Sequence, residues 1–111
     1  MNKLTAVAIL LVAAALEAGG DALMRTGIKQ STGASRLLFL AAGAVVLTAY
    51  GATVNAPDWD FGRLLGLYVV FFFLIAQAMS WVFFNQPPST ATVVGGLLIV
   101  AGGAVIGAAN S

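Results

Sequence analysis

Cysteine and histidine are both absent from the 111 residues. Their absence excludes a disulfide framework, a thiol nucleophile, an imidazole base and a cysteine- or histidine-built zinc site. Charge is almost as scarce. Only 8 % of the residues are charged, whereas a soluble domain carries about 25 %. A chain this poor in charge cannot cover its own surface in water, which excludes a soluble enzyme and a disordered tail. The net charge of +1 leaves no basic footprint for nucleic acid. Nothing in the composition calls for a metal or a cofactor, and no catalytic residue is assigned. What is abundant is apolar: 60 % of the residues are hydrophobic. The expectation is a single integral membrane domain, all-α, whose chemistry comes from four acids, five bases, a few aromatics and backbone.

A membrane-spanning helix needs about 20 mostly apolar residues. Four such stretches use nearly the whole chain, at about 4–24, 37–54, 64–84 and 92–109. They lack the alternation of a barrel strand and are about twice its length. Between them lie polar or turn-forming segments. The first, Arg25 to Arg36, includes Gly27 and Gly33. The second, Asn55 to Arg63, includes Pro57, Asp58, Asp60 and Gly62. The third, Asn85-Gln86-Pro87-Pro88-Ser89, is a tight break, because adjacent prolines cannot continue a helix and Ser89 can cap the next one. The first stretch is read as a span rather than a cleaved signal, since its removal would leave three more spans and no soluble domain to export. Four helices of this size make a thin bundle with little interior, so a solute pathway calls for two copies.

With four spans, both termini and the central loop share one side. That side carries Lys3 and Arg63; the other carries Arg25, Lys29 and Arg36. The positive-inside rule gives almost no instruction on so even a count. Either a further signal fixes one orientation, or the chain inserts both ways.

Glu17 is the residue to explain. A carboxylate within a span is costly, and such groups usually face a cavity and work. No Lys or Arg lies inside any other span to neutralise it. Desolvation, and any second carboxylate nearby, disfavours the charged form of a carboxyl group. A group so placed can hold a proton in one state and a cation in the other, but not both. Asp21 follows one turn later on the same face, and Gly20 next to it permits close approach of a substrate or a helix. Asp21 has two readings: a second site carboxylate, or the acid of a simple pair with Arg25 at i+4. Asp58 and Asp60 read as solvated loop charges.

Tyr50, Tyr68, Trp59 and Trp81 all suit the role of interface anchor. Tyr68 and Trp81 also lie on the third span, around the Phe71-Phe72-Phe73 run. An aromatic face beside a carboxylate is what a hydrophobic cation needs. Gln77 and Ser80 suit interhelical hydrogen bonds. The fourth span has no charge and carries Gly95, Gly96, Gly102, Gly103 and Gly107, with spacings that favour helix–helix contact. It reads as an association surface.

Three segments carry a family resemblance. Leu16-Glu17-Ala18-Gly19-Gly20-Asp21-Ala22-Leu23-Met24-Arg25 resembles the first-helix motif of small multidrug resistance (SMR) transporters. Ser80-Trp81-Val82-Phe83-Phe84-Asn85-Gln86 resembles the end of their third helix, and Gly95-Gly96-Leu97-Leu98-Ile99-Val100-Ala101-Gly102 their dimerisation stretch. The order and spacing match along nearly the whole chain. The resemblance implies an antiparallel, dual-topology homodimer that exports cations against protons, with two copies of Glu17 in one shared site and the fourth helix at the dimer contact. Tyr68 falls where multidrug members place a site Trp. Leu65 stands where they place a site Tyr, Asp21 replaces a usually neutral residue, and the first half of the second span has no Tyr. The segment from Pro57 to Gly62-Arg63 looks more like the YnfA-like relatives of the same superfamily.

The expected function is therefore proton-coupled efflux of small or hydrophobic organic cations across a bacterial-type inner membrane. Its partners are protons, a cationic substrate, the lipid bilayer and a second copy, with Glu17, Asp21, Gly20, Tyr68 and Trp81 at the site. Guanidinium-like or polyamine cations held by Glu17 and Asp21 are an alternative substrate class. A non-transporting subunit of a hetero-oligomeric membrane complex is an alternative of another kind.

Overall fold

The structure, a computed structural model, describes residues 2–108. It is all-helical: α1 is Lys3–Lys29, α2 Gly33–Val54, α3 Phe61–Phe84 and α4 Thr90–Ala108. Each is long and apolar enough to cross a membrane. The helix ends follow local chemistry. The Thr5 N–H donates to Asn2 Oδ1 at 2.8 Å and starts α1. Lys29 in its last turn complements the helix dipole. α3 stops at Asn85, whose left-handed backbone (φ 53°) lets the Gln86 N–H reach back to the Ser80 carbonyl at 3.0 Å. After Pro87-Pro88, Ser89 Oγ accepts from the Thr92 N–H at 3.2 Å and caps α4.

The spans sit where the apolar runs put them, but the links are shorter. α1 continues past Met24 to Lys29, and α2 begins at Gly33, so the polar link shrinks from 25–36 to 30–32. Hydropathy measures the lipid-crossing length, whereas backbone hydrogen bonding carries a helix on into the interface, where Arg25 and Lys29 can reach water. Gly27 is accordingly a packing residue and not a turn residue. A Cβ there would meet Leu40 Cδ2 at 3.0 Å. α3 and α4 also begin earlier than the apolar runs, at Phe61 and Thr90. The expected end of the fourth span at Ala109 lies outside the described residues.

α2 packs on α1, α1 on α3, and α3 on α4. The result is a layer in the order α2–α1–α3–α4, with Cα extents of 51 × 34 × 18 Å. Its core is Leu10, Ala13 and Ala14 of α1, Val54 of α2, and Leu64 and Tyr68 of α3. The alanines of α1 leave room for the larger side chains of α3. α1 and α2 approach through glycine: a Cβ on Gly43 would lie 3.1 Å from the Gly20 carbonyl oxygen. Two threonine hydroxyls inside the spans bond within their own helices. Thr26 donates to Ala22 O at 2.9 Å and Thr48 to Ala44 O at 2.9 Å. This satisfies polar groups that lipid cannot.

Candidate functional site: a mid-membrane carboxylate and its groove

Because α1 runs to Lys29, Glu17 lies close to the centre of a 27-residue helix, about 20 Å from its start. The Tyr68 hydroxyl donates to Glu17 Oε1 at 2.7 Å. That is the short range of a phenol bonded to a carboxylate. Tyr68 is 4 % exposed, and its place follows from the apolar stripe Leu64–Tyr68–Phe72, whose first two members close on Leu10, Ala13 and Ala14. The Tyr50 ring lies 5.7 Å from the Tyr68 ring and the Phe72 ring 6.2 Å. Three aromatic rings from two helices thus hold one hydroxyl on one carboxylate oxygen. The second oxygen accepts no hydrogen bond from the described residues.

Between the C-terminal halves of α1 and α3 lies a groove of about 320 Å³. Ala18, Asp21, Ala22 and Arg25 line one wall; Phe72, Met79 and Phe84 line the other. Glu17 and Tyr68 do not themselves line it: Glu17 precedes the lining residue Ala18 on α1, and the Tyr68 ring lies 6.2 Å from that of the lining residue Phe72. A second groove of about 480 Å³ shares Ala22, Met79 and Phe84 with the first and reaches Val46 of α2. Asp21 is exposed to the first groove and forms no ion pair among the described residues. The i+4 pairing with Arg25 is not made. The Arg25 guanidinium lies instead over the Phe84 ring, 5.5 Å from its centroid.

The other expected site residues fall elsewhere. Gly20 is buried against α2, where a Cβ would come within 2.7 Å of Leu47 Cγ, so the close approach it permits is that of a helix. Trp81 is 58 % exposed. Thirteen residues at about 100° each turn it roughly 140° away from Tyr68 around α3. The α4 glycines divide into two sets. Gly96, Gly103 and Gly107 face α3, against Phe73, Val70 and Leu67 of the same chain. Within the protomer these three pack against α3. Gly95 and Gly102 have nothing within 4 Å and face outward. Trp59 stacks with Arg63, whose guanidinium is 4.5 Å from the ring centroid, at the start of α3. Asp58 and Asp60 are exposed. Tyr50 is the site residue that sequence reasoning places at an interface; nothing local to it signals a partner on α3.

Comparison with known proteins decides the family. A UPF0060 membrane protein of Mycobacterium marinum is 36 % identical over 104 residues, covering 90 % of this chain and 89 % of that protein. The chain belongs to the UPF0060 membrane protein family. A UPF0060 membrane protein of Rhodococcus jostii is 36 % identical over 110 residues, 96 % of this chain and 95 % of its own. One of Streptomyces avermitilis is 34 % identical over 110 residues, 96 % of this chain and 93 % of its own. No family model matches, and no solved structure matches. With its four spanning helices, this UPF0060 protein is an integral membrane protein of the bacterial inner membrane.

Proposed function

We propose that this protein is a proton-coupled exporter of small or hydrophobic organic cations, working as an antiparallel homodimer. The observation that carries the reading is Glu17. It is a carboxylate near the centre of a span, held by a single tyrosine hydroxyl, with no cation beside it among the described residues. A charged group at that depth is retained where it works. Tyr68 fixes one oxygen and leaves the other for a proton or a cation in turn. Because the two occupants exclude each other, release of one is coupled to capture of the other. The groove supplies apolar and aromatic walls for an organic cation through Phe72, Met79 and Phe84.

The thickness of the protomer supports the homodimer. A layer 18 Å deep encloses no path across a membrane, so a second copy supplies the opposite wall. The near-even distribution of Lys and Arg lets copies insert in opposite orientations. The resemblance to SMR transporters points to the same assembly and the same role for Glu17. The reading is tested in liposomes by following proton flux on addition of a panel of organic cations, for the parent and for Glu17→Gln. Cation-driven proton movement that disappears in the variant supports it. Equal flux in both contradicts it.

A further inference from the structure

Arg25 lies in the groove as a tethered cation. Its guanidinium sits over Phe84, 5.5 Å from the ring centroid, in the wall facing Asp21. One helical turn back, Asp21 is within i,i+4 reach of the same side chain, yet the pair is not made. Arg25 therefore has two perches: the aromatic face it occupies and the carboxylate it leaves open. An incoming organic cation would seek the same face, since Phe84 is a half-buried ring that lines the groove along with Phe72.

We infer that Arg25 is a built-in competitor: it covers the Phe84 face in the substrate-free protein and moves to Asp21 when a cation takes its place. This rests on the groove being the cation's binding place, as proposed above. It makes Arg25 a specificity-determining residue. A cation must bind the Phe84 face better than a guanidinium does, so compact, strongly hydrated cations are rejected and hydrophobic ones admitted. The competitor is weak by construction. Arg25 is itself exposed to solvent, so its hold on the ring is loose, and its removal should tighten binding by only about two- to fivefold.

The experiment measures binding of methyltriphenylphosphonium by titration calorimetry to the detergent-solubilised full chain, with no proton gradient. The forms compared are the parent, Arg25→Gln, Phe84→Leu and the double variant, with size-exclusion elution and helical content as checks of folding. Arg25→Gln should bind about two- to fivefold tighter than the parent. In the Phe84→Leu background the same change should have no effect, because the contested ring is gone. Arg25→Lys, which keeps the charge and loses the planar stack, should fall between parent and Arg25→Gln, and it supplies the comparison if Arg25→Gln does not fold. Equal tightening in both backgrounds would mean that Arg25 acts by general charge repulsion, and it overturns the inference. So would unchanged or weaker binding in Arg25→Gln, or no binding by any form. Failure of the transport reading shows separately, as cation-driven proton flux that survives Glu17→Gln.

Discussion

α1 and α4 are both helices long and apolar enough to cross a membrane, yet one carries the candidate site and the other carries no charge at all. α1 is packed on two sides, by α2 and α3; among the described residues α4 packs on α3 alone. A carboxylate near the middle of a membrane is sustainable where neighbours bring a donor to it, and α1 receives Tyr68 from α3. Among the described residues α4 has no second neighbouring helix, and Gly96, Gly103 and Gly107 serve its close approach to α3. The difference teaches that position in the layer, more than apolarity, decides which helix holds polar chemistry.

The comparison breaks most easily at Gly103. A Cβ there collides with Val70, whereas one at Gly102 meets nothing within 4 Å. Gly103→Leu should destabilise the protomer by about 1–3 kcal/mol or more through overpacking, seen as earlier thermal aggregation in detergent. Gly102→Leu should leave that transition in place and lower the crosslinked dimer fraction. If the two variants behave alike, the division of α4 into an inner and an outer face is wrong.

Next in size is Tyr68→Phe, which keeps the ring and deletes the donor to Glu17. A hydrogen bond to a charged group contributes about 1.5–3 kcal/mol, so proton-coupled exchange should fall about tenfold or more while helical content holds. Trp81→Phe, on the other side of α3, should change exchange less than twofold (~0.4 kcal/mol). Equal losses in the two variants would remove the distinction between a site aromatic and a lipid-facing one.

Much of this arrangement can be read from the residues alone. Long apolar runs give four spans, because lipid forces backbone groups to bond within their own segment. The diproline and Ser89 locate the last turn, and the isolation of Glu17 marks it before any fold is known. What escapes is what depends on distance across the chain. Tyr68 and Glu17 are joined by packing, not by spacing. The same holds for Tyr50, which reads as an anchor until α2 is laid against α1. Glycine periodicity reveals two stripes on α4 without saying which one α3 takes. Asp21 and Arg25 obey the i,i+4 rule in sequence, but a ring on another helix draws the guanidinium away.

The smallest energies concern orientation. Lys3 and Arg63 face three basic residues on the other side, so two added lysines should tip the balance. Two lysines appended after Ser111 should drive the termini to the cytoplasm, and two inserted in the 30–32 turn should drive them out. Each form alone should be inactive in export, and co-expression should restore it, as read by a C-terminal reporter and a cation-accumulation assay. A parent that reports from one side only, with both fixed forms active alone, would replace the antiparallel pair by a parallel one.

The central claim is that Glu17 exchanges a proton for a cation. Its most direct measurement is proton release from purified protein in detergent on addition of an organic cation, for the parent and for Glu17→Gln. The account predicts release of up to one proton per Glu17 from the parent and none from the variant, with the fold intact. Cation binding without proton release in the parent, or release that persists in Glu17→Gln, would contradict it.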